Sequence, residues 1–60
     1  MGEPKFEVYK DNRGEWRWKF KASNGKIIAV SSEGYINKQD CEHAIEIVKR
    51  EAPDAKIVYL

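Results

Sequence analysis

Residues 15–31, "EWRWKFKASNGKIIAVS", decide the fold. Trp16, Trp18, Phe20 and Ala22 alternate with Arg17, Lys19 and Lys21, which is the two-residue period of a strand with one dry face and one wet face. Asn24-Gly25 then interrupts the alternation. That pair predicts a two-residue hairpin of type I′, because both central positions of such a turn need positive φ. With Asn24 and Gly25 as the loop, Ala22 faces Ile27, Phe20 faces Ala29 and Trp18 faces Ser31 on the dry side. On the other side Lys21 faces Ile28 and Lys19 faces Val30, so that face is mixed rather than purely polar.

Outward from this hairpin, strands are expected at about 5–10, 15–22 and 26–32. In the first of them Phe6 and Val8 share one face while Glu7 and Tyr9 share the other, and "DNRG" supplies the turn, with Gly14 available for positive φ. Gly34 marks a further turn. The spacing after it predicts a helix over about 38–51, with Asn37 at the N-cap, Asp40 at the capping-box position, and Lys49 and Arg50 complementing the C-terminal end of the dipole. Pro53 prevents continuation. The apolar run "KIVYL" predicts a last strand over about 56–60. The order is β-β-β-α-β in one domain spanning 1–60: a two-layer α+β unit, its antiparallel sheet carrying one helix on the aromatic face.

A 60-residue chain has a marginal core, since a domain of this length hides only about 60% of the surface its unfolded chain exposes. Disulfides, a structural metal or oligomerisation usually compensate. Cys41 has no second cysteine to pair with inside the chain, and one thiol with one histidine cannot complete a structural zinc site. Oligomerisation is the expectation that remains. The apolar run at the end of the chain must then be covered.

Eleven Lys and Arg against ten Asp and Glu give a net charge of +1, far from the basic excess of a non-specific nucleic-acid binder. The N-terminal residues show neither a signal peptide nor a membrane span, and Phe6 stands where the myristoylation pattern expects Ser or Thr. Without a disulfide framework, the expected location is cytoplasmic.

Residues 31–48, "SSEGYINKQDCEHAIEIV", collect serines, an aspartate, the single cysteine and the single histidine. On a helix, Cys41 and His43 lie about 200° apart and cannot share a proton. Cys41 joins Ile45, Val48 and Ala52 in the stripe facing the sheet, with Ala44 at its margin, and reads as an inert core thiol. His43 reads as a solvated side chain beside Glu42, Glu46, Gln39 and Arg50, with a weak metal site as the lesser reading. Ser31 and Ser32 have no histidine within local reach. No paired carboxylates, phosphate-loop glycines or cofactor motif occur, so a non-enzyme without cofactor or metal is expected, with thiol-dependent catalysis at Cys41 as the remote alternative.

Trp16 and Trp18 read as core rather than as a ligand-stacking pair. The candidate binding surface is the wet face: Tyr9, Arg17, Lys19, Lys21, Ile28 and Val30. It suits a protein partner. Nucleic acid, with cations on phosphates and rings on bases, is the alternative but not the favoured one.

The segments "GEWRWKFKASNGKIIAVSSEGY" and "KQDCEHAIEIVKREAPDA" together resemble the YegP-like family of small uncharacterised prokaryotic domains, over about residues 5–56. Asn24-Gly25, Ser32–Tyr35, Cys41 and Val48-Lys49 carry the likeness. The sequence departs from the family pattern at His43-Ala44, where Asn-Gly is frequent, and at Asn37, where Ser is frequent. His43 therefore inherits no role. The resemblance implies a β3-α-β unit that occurs in tandem or, as a single copy, as a homodimer in which two units build one sheet and exchange their C-terminal strands, which makes Ile57, Val58, Tyr59 and Leu60 the candidate dimer strand. It brings no activity.

Overall fold

The computed structural model describes residues 2–60. Three strands, β1 (Lys5–Lys10), β2 (Trp16–Lys21) and β3 (Ile27–Val30), form an antiparallel sheet in the order β1-β2-β3, followed by the helix α1 (Lys38–Glu51) and a single 3-10 turn, Ala52–Asp54. The β1–β2 register pairs Phe6 with Phe20 and Val8 with Trp18 on the inner face, and Glu7 with Lys19 and Tyr9 with Arg17 on the outer one. Alternation in the sequence thus becomes two faces of opposite character.

Both hairpins close with the same three-residue loop. In the first, the Gly14 N–H donates to the Asp11 carbonyl at 3.0 Å and the Asp11 N–H donates to the Glu15 carbonyl at 2.9 Å. In the second, the Gly25 N–H donates to the Ala22 carbonyl and the Ala22 N–H to the Lys26 carbonyl, each at 2.9 Å. Gly14 and Gly25 have φ of 79° and 87°, the left-handed position that ends such a loop. The expected type I′ turn at Asn24-Gly25 is therefore wrong. Among the described residues no non-glycine has positive φ, and Asn24 instead uses its side-chain carbonyl to accept the Lys26 N–H at 3.0 Å.

The longer loop shifts the register by one residue, so Lys21 opposes Ile27 rather than Ile28. An irregularity between Phe20 and Lys21 then takes up Ile28 as an extra residue, and the predicted pairs Phe20–Ala29 and Lys19–Val30 return. Two deviations of one residue cancel. Their lasting effect is that Ile27 stands opposite Lys21 and not opposite Ala22 as expected.

Beyond Val30 the chain stays against β2. The Ser31 N–H donates to the Trp18 carbonyl at 2.9 Å, residues 32–34 bow outward, and Tyr35 returns to exchange two backbone hydrogen bonds with Trp16, at 2.7 and 2.8 Å. Gly34 is needed there for space and not for a left-handed turn. A Cβ at that position would collide with the Glu15 carboxylate and lie 2.7 Å from the Glu15 Cβ.

Helix α1 begins at Asn37, which has the extended backbone of an N-cap (φ −104°, ψ 136°), but its side chain makes no cap bond to the backbone. Its amide donates instead to the Asp40 carboxylate at 3.4 Å. Cys41 and Ile45, one turn apart, pack with Trp18 as the buried core, bordered by Phe6, Val8, Phe20 and Val48. Ala52, placed in this stripe by its spacing, is exposed and begins the 3-10 turn beyond the end of α1. The predicted strand over 56–60 forms none in the single chain: Ile57, Val58, Tyr59 and Leu60 are all exposed.

Candidate functional site

The outer face gathers Tyr9, Arg17, Lys19, Lys21 and Val30 by strand register, with Ile27 and Ile28 at the irregular end of β3. Ile27 joins this face because of the longer loop. No periodicity rule would find it, since the signal lies in the choice between two loop geometries that the same Asn-Gly pair permits. Ile27, Ile28 and Val30 are 52, 63 and 59% exposed, so β3 is an edge strand with apolar side chains in solvent.

The cations on this face are already engaged. Arg17 Nε donates to Asp11 Oδ2 at 2.6 Å, while Lys19 and Lys21 share Glu7 Oε1 at 3.9 and 3.5 Å. Lys19 Nζ also sits 5.2 Å from the centre of the Tyr9 ring, within cation–π range. Asp11 organises more than this pair: its Oδ1 accepts the Arg13 and Glu15 N–H groups at 2.9 and 3.0 Å. The Arg17 hydrogen bond, reinforced by these backbone donors, holds the Asp11 carboxyl below its ordinary value. Three cations against two carboxylates leave a weak field, unlike the concentrated charge that a phosphate backbone selects.

The reactive residues are separated. Cys41 is wholly buried, and desolvation, then the charge of Glu42, pushes its thiol above the ordinary value. His43 is exposed and borders an open depression between α1 and β1 with Gln39, Glu42 and Glu46. Ser31 is buried and its hydroxyl oxygen accepts the Trp18 backbone N–H at 3.2 Å, which gives it a structural bond; Ser32 is exposed. Among the described residues no group of three or more His, Cys, Asp or Glu is placed to hold a metal ion. No helix among them is long and apolar enough to cross a membrane.

Trp16 and Trp18 also part company. Trp18 packs edge-on against Phe6, centroids 5.4 Å apart, inside the core. Trp16 is half-buried at the rim, with the Nζ atoms of Lys10 and Lys38 at 5.2 and 5.7 Å from its ring.

One opening remains on the inner side. Where α1 ends, Trp18, Phe20, Ala29, Val48, Ala52 and Pro53 line an apolar groove along β3. Its lining reaches Pro53, four residues before the tail Ile57–Leu60.

Sheet, helix and groove define a small two-layer α+β module with no catalytic constellation among its described residues. The chain belongs to the DUF1508 family, a domain of unknown function, which it matches over residues 11–58. It is 54% identical over 44 residues to a UPF0339 protein of Neisseria meningitidis serogroup B, covering 73% of this chain and 77% of that protein. A UPF0339 protein of the archaeon Methanosarcina acetivorans is 48% identical over 56 residues, covering 93% of this chain and 95% of the relative. The fold is similar to the solution NMR structure of a protein from Haloferax volcanii, with a TM-score of 0.87, 43% identity and full coverage of both chains. It is also similar to the solution structure of an Agrobacterium tumefaciens protein, with a TM-score of 0.78, 42% identity and coverage of 97% of this chain and 92% of that one. The YegP-like likeness names this same uncharacterised family.

Proposed function

We propose that the chain is a non-catalytic, cytoplasmic interaction module that acts as a homodimer, in which Ile57–Leu60 of each subunit pairs with the free edge of β3 in the other. The observation that carries this reading is a pair of matched apolar runs. Ile27–Val30 and Ile57–Leu60 are each four residues long, and in the single chain both are exposed. Continuous apolar strands belong where both faces are covered, and an uncovered edge of this kind invites pairing. A two-fold exchange covers both edges and both tails at once.

Chain length in one relative supports the same reading. A UPF0339 protein of Stutzerimonas stutzeri is 49% identical over 49 residues, yet the match covers only 43% of it, leaving room for a second unit of similar size. The outer face of Tyr9, Arg17, Lys19, Lys21, Ile28 and Val30 is the surface we assign to a further protein partner. Cations already paired with carboxylates, beside exposed aliphatic side chains, favour a protein over a polyanion.

Light scattering coupled to size-exclusion chromatography tests the assembly. A dimer at micromolar concentration is expected, and a stable folded monomer would overturn it. Removing residues 57–60 is expected to abolish the dimer and, through coupled stability, to lower the unfolding midpoint. A truncated chain that stayed dimeric and equally stable would also refute exchange. Binding of a random oligonucleotide pool at low salt would move the outer face to the nucleic-acid reading.

A further inference from the structure

The Asn24-Gly25 loop sets the register of β3, and it also holds the parts of a reaction. An asparagine side-chain carbonyl carbon and the next main-chain nitrogen can close a succinimide ring, and any side chain on that next residue crowds the closure. Of the three asparagines, Asn12 precedes Arg13 and Asn37 precedes Lys38, so that only Asn24 precedes a glycine. Asn24 and Gly25 are both exposed. The other two sites are tied down: the Arg13 N–H donates to Asp11 Oδ1 at 2.9 Å, and the Asn37 carbonyl accepts the Asp40 and Cys41 N–H groups at 3.1 and 3.3 Å.

Two features of the loop favour closure at Asn24. The Lys26 N–H donates to Asn24 Oδ1 at 3.0 Å, and that oxygen is where negative charge develops when the carbonyl carbon is attacked. Both Asn24 and Gly25 also line an open depression, so water reaches them. One feature opposes it. The attacking nitrogen belongs to the Gly25 N–H, which donates to the Ala22 carbonyl at 2.9 Å. That is a single bond at an exposed loop tip, and local opening releases it without unfolding the sheet. We propose that Asn24 is a modification site, at which the folded chain converts its own asparagine into isoaspartate and aspartate.

In this reaction hydroxide removes the Gly25 amide proton and the nitrogen attacks Asn24 Cγ. The Cγ–Nδ2 bond breaks, and Nδ2 leaves as ammonia with a proton returned through water. A water molecule then opens the imide. Cleavage between the Gly25 nitrogen and Cγ yields aspartate at position 24, whereas cleavage between that nitrogen and the main-chain carbonyl carbon yields isoaspartate. Aspartate keeps an oxygen for the Lys26 N–H and adds one negative charge to a chain of formal net charge +1. Isoaspartate instead routes the main chain through Cβ and Cγ and lengthens the loop by one atom. Since the length of this loop places Ile27 opposite Lys21, isoaspartate disturbs β3 and aspartate does not.

The experiment incubates the full chain, folded and in concentrated urea, at several neutral to mildly alkaline pH values. Tryptic peptide 22–26, released at mildly acidic pH, is resolved into its asparagine, aspartate and isoaspartate forms, and isoaspartate is counted by enzymatic methylation of its α-carboxylate. Conversion of Asn24 in the folded chain is expected, at a rate rising with hydroxide, while Asn12 and Asn37 stay intact. The ratio of folded to denatured rates should exceed the globally unfolded fraction, measured by urea titration, by about tenfold or more. A ratio equal to that fraction would mean that only unfolded molecules react, and the proposal fails. Asn24→Asp should keep the amide exchange of residues 27–30 as in the parent, whereas the isolated isoaspartate form should exchange faster there. Equal exchange in the two would overturn the effect on β3.

Discussion

Trp18 and Ser31 exchange two hydrogen bonds across the β2–β3 ladder, and only one joins backbone to backbone. The Ser31 N–H donates to the Trp18 carbonyl at 2.9 Å, while the Trp18 N–H donates to the Ser31 hydroxyl oxygen at 3.2 Å. The second bond replaces one that the ladder would otherwise supply, because the chain begins to bow outward immediately after Ser31. Ser31 is 6% exposed, so the Trp18 N–H has little access to water. A serine without a histidine in local reach closes a gap in the sheet.

Ser31→Ala should therefore destabilise the fold by about 1–3 kcal/mol, the usual penalty for stranding a buried donor. The expected observation is a lower urea midpoint with an unchanged slope. Ser31→Thr keeps the oxygen and should retain much of the stability, although its extra methyl must fit a buried site. An alanine variant as stable as the parent would show that the hydroxyl bond contributes nothing net.

Gly34 and Glu15 define a second close approach. Adding a methyl group at residue 34 brings it against the Glu15 carboxylate and within 2.7 Å of the Glu15 Cβ. Gly34→Ala should cost about 1–3 kcal/mol, as overpacking does. Glu15→Ala in the same chain should restore only part of that loss, because the carboxylate moves away but the Cβ stays. Glu15→Gly should restore more, apart from its own backbone entropy cost. A double-mutant cycle on urea midpoints measures the coupling, and strict additivity would refute the contact.

Legibility in the sequence tracked the range of the interactions. Strand alternation, the helix limits and the Cys41–Ile45 stripe are local periodicities, and these emerge in the structure where the sequence places them. The Asn24-Gly25 loop was harder because two turn geometries suit it, and the hydrogen bond from the Lys26 N–H to the Asn24 side chain accompanies the longer one. Ile27 changed neighbours as a result. The pairing of Arg17 with Asp11, and of Lys19 and Lys21 with Glu7, depends on cross-strand register, so a reading of β2 alone gave a barer basic stripe than exists. The chain does bend at Gly34, but a glycine in sequence does not reveal whether φ or space demands it, and here it is space.

Acid should weaken the first hairpin through Asp11. Its folded-state pKa lies below the ordinary carboxylate value of about 3.9, chiefly because Arg17 and two backbone N–H groups favour the ionised form. A depressed folded value contributes stability that is present above the unfolded pKa and is lost as pH falls through the folded one. Between pH 7 and pH 3, Asp11→Asn should accordingly lose less stability than the parent, while keeping the turn through its amide oxygen. Parallel urea titrations at the two pH values provide the comparison, and equal losses in both proteins would mean that Asp11 is not a source of the acid sensitivity.

Cys41 offers a test of burial against reactivity. Its side chain is wholly enclosed between α1 and the sheet, and desolvation holds the thiol protonated at neutral pH. Alkylation by iodoacetamide should then proceed only through opening of the fold, with an opening free energy, taken relative to alkylation of the unfolded chain, matching that of the slowest-exchanging backbone amides of β2. A reactive thiol would show far less protection, relative to the unfolded chain, than those amides do, which would revive thiol chemistry. The same burial sets a pH dependence of opposite sense to that of Asp11. With the folded pKa above the unfolded one, the contribution of Cys41 is fully present below the unfolded value of about 8.5 and is lost as pH rises through the folded value. Cys41→Ala should remove this alkaline loss at a packing cost of about 1 kcal/mol, whereas Cys41→Ser, which buries a hydroxyl, should cost about 1–3 kcal/mol. Alkaline urea titrations of the parent and the alanine variant decide the matter: if both lose stability equally above pH 9, the buried thiol is not what makes the fold sensitive to base.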